Sequence, residues 1–136
     1  MTRVLIIDDD QDVRTTLRDV MEEAGYEVFE ADDGDKGQRL FASDPVDLVV
    51  TDILMPEKEG LETILDLRRV DPNVKIIAIS GGGYRGNMHF LEASRDFGAN
   101  CVLSKPILPN ELLEAMRAVL NDLRDESGDL NLTLAS

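Results

Sequence analysis

Residues 46–56 read VDLVVTDILMP. The run VDLVV is apolar enough to be a strand buried on both faces, which is the pattern of a parallel sheet covered on each side by helices. Pro56 bars an immediate helix after it. Asp52 therefore stands where a core strand leaves the hydrophobic interior, and the rest of the chain must account for a carboxylate in that place.

The same alternation of short apolar runs and amphipathic stretches extends in both directions. RVLII (3–7), EVFEA (27–31), VKIIAIS (74–80) and CVLS (101–104) read as further strands, EVFEA with the half-polar pattern of an edge. Between them, Val13, Leu17, Val20, Met21 and Ala24 recur at helical spacing up to Gly25. Residues 34–43 predict a short helix anchored by Leu40 and Phe41. Leu61, Ile64, Leu65 and Leu67 mark a third helix that ends before Asp71-Pro72. Met88, Leu91 and Phe97 mark a fourth, closed by Gly98, and Leu112, Leu113, Met116, Val119, Leu120 and Leu123 a last one after Pro109. Five βα units of this kind predict an α/β fold with a parallel sheet covered on both faces.

The chain has 136 residues, 43% of them hydrophobic and 31% charged, which suits one domain with a core. The reading is a single domain over residues 1–125 and a flexible tail over 126–136, too short to be an output domain. A net charge of −14 repels nucleic acid, so direct DNA or RNA binding is not expected. No apolar run approaches the ~18 residues of a membrane span, and MTRVLIIDDD turns acidic too early for a secretory leader. The expected location is the cytoplasm. The one cysteine, Cys101, excludes an intramolecular disulfide and reads as a buried structural thiol.

In open α/β sheets the site lies beyond the carboxyl ends of the strands. Strand one ends in Asp8, Asp9 and Asp10, strand three in Asp52, strand four in Ser80, and strand five leads into Lys105-Pro106. Three carboxylates around one crevice repel one another, and a hard divalent cation such as Mg²⁺ removes the conflict. On this reading Asp9→Ala relieves crowding in the metal-free protein. A lysine and a hydroxyl beside the carboxylates complete a set suited to a phosphoryl group arriving on a carboxylate nucleophile. Asp10 has a simpler role open to it, as the N-cap of the first helix.

The segments IIDDDQDVRTTL, VVTDILMP, IIAISGGG and VLSKP resemble the signature segments of the response-regulator receiver domain, over residues 3 to about 124. The resemblance implies a stand-alone, chemotaxis-regulator-like receiver with a flavodoxin-like, doubly wound sheet in strand order 2-1-3-4-5. It implies that Asp52 accepts a phosphoryl group from a histidine kinase or a histidine phosphotransfer protein, and that the phosphorylated state changes binding to a downstream protein. It implies direct Mg²⁺ ligation by Asp9, a largely water-mediated role for Asp8, and a further ligand in the Leu54 backbone carbonyl. Ser80 donates to a phosphoryl oxygen and Lys105 pairs with the phosphoryl group, its bond to Pro106 being cis. The chain is then a signalling switch that catalyses its own phosphorylation, without turnover as an enzyme. Receivers dimerise or bind targets through the last helices and strand, here carrying Glu92, Arg95, Glu114 and Arg117.

Three positions depart from the family pattern. Val102 stands where many receivers carry an aromatic ring that turns inward on activation. Leu54 and Gly82 stand where many carry polar side chains that influence the attacking water, so slow self-dephosphorylation is expected. The loop SGGGYRG (80–86) is richer in glycine than most and lacks the GKS/T ending of a Walker loop. His89, the only histidine, is expected on an exposed helix, so the donor phosphohistidine comes from another protein. The alternative reading is a haloacid-dehalogenase-type phosphatase with Asp8 of Asp8-x-Asp10 as nucleophile, but it leaves TDILMP unexplained. A flavodoxin would place a phosphate where three aspartates repel it.

Overall fold

Strands with apolar residues on both faces can only be buried between two layers, and the chain builds those layers in alternation. The computed structural model describes residues 1–53, 60–80 and 98–121. In chain order the elements are β1 (Arg3–Ile7), α1 (Gln11–Glu23), β2 (Glu27–Ala31), α2 (Gly34–Ser43), β3 (Leu48–Asp52), α3 (Gly60–Val70), β4 (Lys75–Ser80), β5 (Cys101–Ser104) and α4 (Pro109–Leu120). All five strands are parallel and lie in the order β2-β1-β3-β4-β5. The half-polar EVFEA is an edge strand, as its pattern predicts. The helix expected from Met88, Leu91 and Phe97 lies outside the described residues, as do Leu123 and the tail 126–136. Among the described residues no helix is long and apolar enough to cross a membrane.

The period of two along each strand divides the interior. Val4 and Ile6 of β1 face Leu17 and Met21 of α1 and Leu112, Met116 and Val119 of α4. Leu5 and Ile7 face Phe41 of α2 and Ile64 and Leu67 of α3. Helix ends follow local chemistry. The Asp33 carboxylate accepts the Lys36 N–H at the start of α2, and Gly25, with φ of 98°, takes the left-handed turn that ends α1.

Three expectations change. β3 begins two residues later than VDLVV, at Leu48, and runs to Asp52, with Thr51 and Asp52 opposite Ala78 and Ile79 of β4. Leu40 is on the outer side of α2, and Phe41 takes the inner place. Cys101 is half-buried rather than buried, at the start of strand β5 on the sheet's edge.

The sheet end opposite the carboxyl termini is tied by Arg68 of α3. Its guanidinium donates to the carbonyls of Gly98, Pro72 and Val74, and to Asn100 Oδ1 at 2.7 Å. Asn100 in turn exchanges hydrogen bonds with Ile76: its Oδ1 accepts the Ile76 N–H at 2.8 Å and its N–H donates to the Ile76 carbonyl at 2.7 Å. The loop entering β4 and the turn entering β5 are thus held by one side chain.

α2 descends onto β1 at Gly37, where a Cβ would lie 2.4 Å from Ile7 Cδ1 and 2.7 Å from its Cγ1. Ile7 is fully buried and cannot swing into solvent. Gly37→Ala is therefore expected to destabilise the protein by about 1–3 kcal/mol of overpacking, outweighing the ~1 kcal/mol that alanine gains over glycine as a helix former. A urea midpoint equal to or above the parent's would show that Ile7 repacks freely.

Candidate functional site

Parallel strands bring their carboxyl ends to one edge, and five of the side chains singled out from sequence stand there. Asp8 and Asp9 follow β1, Asp52 and Ser80 close β3 and β4, and Lys105 follows β5. Asp8, Asp52 and Ser80 are buried, whereas Asp9 is exposed. Asp8, Asp9 and Asp52 each offer one carboxylate oxygen within 4.8 Å of the others. Lys105 Nζ lies 3.1 Å from Asp52 Oδ2, to which it donates, and 3.2 Å from Asp8 Oδ2. The Lys105–Pro106 peptide is cis, as expected. The Lys105 N–H donates to the Ser80 carbonyl at 2.8 Å, which ties the end of β4 to the loop that carries the lysine.

The loop after β1 is built by backbone bonds. The Asp8 N–H reaches the Ala31 carbonyl at 3.1 Å, and Asp8 Oδ1 accepts the Asp10 N–H at 2.9 Å. Asp10 caps α1, accepting from the N–H groups of Asp12 and Val13. Its carboxylate serves the helix end, the simpler of the roles open to it.

Burial is the main cause that raises the Asp8 pKa above the usual carboxylate value, and the charge of Asp52 adds to it. The Asp10 N–H and Lys105 act in the opposite sense without cancelling the rise. For Lys105 burial opposes the charged form, but Asp52 and Asp8 together outweigh it, and its pKa is raised. Asp8 Oδ2 is the one buried side-chain polar atom among the described residues without a hydrogen-bond partner. Lys105 Nζ, 3.2 Å away, is within ion-pair reach of it. A buried, unsatisfied carboxylate oxygen beside two more carboxylates is the donor set of a hard cation, so the residues present fit Mg²⁺.

The burden of crowding falls on Asp8, which is buried. Because the folded pKa of Asp8 is raised, the native state holds its proton more tightly than the unfolded chain. Stability from this group is full below the ordinary carboxylate range and declines as pH rises through the folded value. Asp8→Asn is expected to stabilise the metal-free protein at neutral pH by about 1 kcal/mol, or roughly 3–5 °C in Tm. The gain disappears at a pH below the ordinary aspartate pKa, and the parent recovers it with Mg²⁺. Melts in EDTA showing Asp8→Asn no more stable than the parent would refute that cost.

Leu54, Gly82 and His89 lie outside the described residues, as do Glu92 and Arg95. Val102 is half-buried on β5 against the core shared with α2 and α3, Arg117 is exposed, and Glu114 is half-buried. Two arginines escaped sequence reasoning, Arg68 and Arg14. Each bonds to backbone carbonyls, which no side-chain pattern announces.

The response regulator receiver domain family matches residues 4–117. Chemotaxis protein CheY of Thermotoga maritima is 37% identical over 118 residues, 86% of this chain and 96% of its own length. Response regulator MprA of Mycolicibacterium vanbaalenii is 37% identical over 126 residues, 93% of this chain. The chain spans about half, 53%, of that MprA. Among solved structures, a CheY-like response regulator receiver domain protein from Methanospirillum hungatei has a TM-score of 0.82 at 29% identity, covering 90% of this chain and 95% of that one. Chemotaxis protein CheY4 of Vibrio cholerae has a TM-score of 0.79 at 26% identity, covering 88% and 98%.

Proposed function

The chain belongs to the response-regulator receiver family, and from that premise we propose that Asp52 is the phosphoacceptor of a switch in two-component or phosphorelay signalling. One observation carries the assignment: Asp52 is buried at a strand end, within 4.8 Å of two further carboxylates and 3.1 Å from Lys105 Nζ. A nucleophile held still at the end of a core strand and faced by a cation suits in-line transfer.

An Asp52 carboxylate oxygen attacks phosphorus. The bond from phosphorus to the donor's imidazole nitrogen breaks, and that nitrogen keeps the electron pair and takes a proton. Lys105 exchanges its contact with Asp52 for one with the phosphoryl group, and Ser80 donates its hydroxyl to a phosphoryl oxygen. Asp8, Asp9, Asp52 and the Leu54 backbone carbonyl would hold Mg²⁺, which supplies positive charge to the phosphoryl oxygens when bound. The donor is a histidine kinase or a histidine phosphotransfer protein, and the product state alters binding to a protein target or a second copy of the chain through α4 and β5. Val102 has no ring to swing, so the response is read out without that movement. The receiver unit spans residues 1–125, and the chain acts as a signalling switch rather than an enzyme with turnover.

Intact-mass measurement after incubation with acetyl phosphate tests the proposal. One added phosphoryl group with Mg²⁺, and none with EDTA, is expected; no gain in either condition overturns the reading.

A further inference from the structure

The loop that carries Asp8 and Asp9 is held from behind by a side chain that touches neither carboxylate. Arg14, one turn into α1, donates from Nη1 to the Asp8 backbone carbonyl at 2.7 Å. Its Nε donates to Glu30 Oε1 of β2 at 3.2 Å. The other oxygen of Glu30 accepts from Arg18 Nη1 at 2.6 Å, and Arg18 Nε is 3.0 Å from Glu22 Oε1. Glu30 is thus fixed on both sides, and it fixes Arg14. The Arg14 side chain is 14% exposed and that of Glu30 26%, so this is a sheltered pair rather than a loose surface bridge.

The oxygen that Arg14 holds belongs to the planar peptide joining Asp8 to Asp9. The N–H of Asp8 is already committed to the Ala31 carbonyl at 3.1 Å. That N–H lies in the preceding peptide, so the two peptides flanking the Asp8 Cα are each held by a hydrogen bond, which sets the Asp8 backbone, the direction of its side chain and the point from which Asp9 departs. Asp9 is exposed and depends on that hold more than Asp8, which the core also confines.

We infer that Arg14 is a positioning residue of the divalent-cation site, orienting Asp8 and Asp9 through their shared peptide, with Glu30 as its anchor. The inference rests on the reading of this acidic cluster as a cation site. It makes a prediction of unusual sign. Arg14 is a cation close to a cation site, so by charge alone its removal strengthens Mg²⁺ binding. By orientation its removal weakens binding, because supports behind metal ligands are worth roughly tenfold or more in affinity.

Mg²⁺ affinity is to be measured by calorimetric titration, with the Mg²⁺-dependent rise in Tm as a second readout, on the parent, Arg14→Ala and Arg18→Ala. Arg18→Ala removes the same charge from the same network but leaves the Asp8 carbonyl bonded. The expected result is a roughly tenfold weaker Kd for Arg14→Ala and an unchanged or tighter one for Arg18→Ala. If Arg14→Ala is too unstable to titrate, Arg14→Met keeps the apolar stem and carries the same expectation. Binding by the Arg14 variant as tight as the parent's, or equal weakening in both variants, overturns the positioning role while leaving the cation site standing. Absence of Mg²⁺ binding by the parent overturns the cation site itself, and the inference with it.

Discussion

Asp52→Asn is expected to abolish uptake of a phosphoryl group from acetyl phosphate and Mg²⁺, with the parent gaining the mass of one. The amide is nearly the same size as the acid, so the strand end and its packing are kept. What is lost is the nucleophilic oxygen and the charge that faces Lys105 at 3.1 Å. Asp10→Asn is the matched control. Asp10 caps α1, and asparagine caps as well as aspartate, so that variant is expected to load like the parent. A labelled Asp52→Asn protein would move the acceptor elsewhere. If loading were instead lost in Asp8→Asn and kept in Asp52→Asn, the phosphatase-type nucleophile would regain its claim.

Arg68→Ala is expected to cost about 3 kcal/mol, a drop of roughly 10 °C in Tm. Burial lowers the pKa of this guanidinium, the charge of Asp71 only partly offsetting it, so a half-buried cation rests on neutral oxygens. Its removal strands the carbonyls of Gly98 and Val74 and leaves Asn100 with one partner fewer. Each buried acceptor left without a donor costs about 1–3 kcal/mol. Phosphoryl uptake at a temperature where the variant is folded should be little changed, because Arg68 serves the opposite end of the sheet. A melt within about 1 °C of the parent would mean that water replaces the guanidinium at no cost.

The elements with one dominant signal were legible in the sequence. RVLII, EVFEA and CVLS became strands at their expected bounds because short apolar or half-polar runs between helical stretches leave few alternatives. The meeting of Asp8, Asp9, Asp52, Ser80 and Lys105 at one edge was legible too, because a parallel sheet carries the carboxyl ends of its strands to the same side. The difference between Asp8 and Asp9 was not. They are identical and adjacent, and only the path of the backbone makes one buried and the other exposed. Leu40 and Phe41 posed the same difficulty on α2. Arg14 and Arg68 were invisible for another reason: each bonds to main-chain oxygens, which every residue possesses, and to one side chain far off in the sequence.

The sheet also acts as a partition. Ile6, Met21 and Met116 belong to one interior and Ile7, Phe41 and Ile64 to the other, with no residue in common. A change of side-chain volume on one side is felt by its own helices and stops at the strands, of which β1, β3 and β4 are laddered on both edges. Mutational drift can therefore proceed on each side under its own packing constraints. The outer faces of α1 and α4 are free to diversify, and with them the choice of partner, while α2 and α3 keep the fold's second interior as it was.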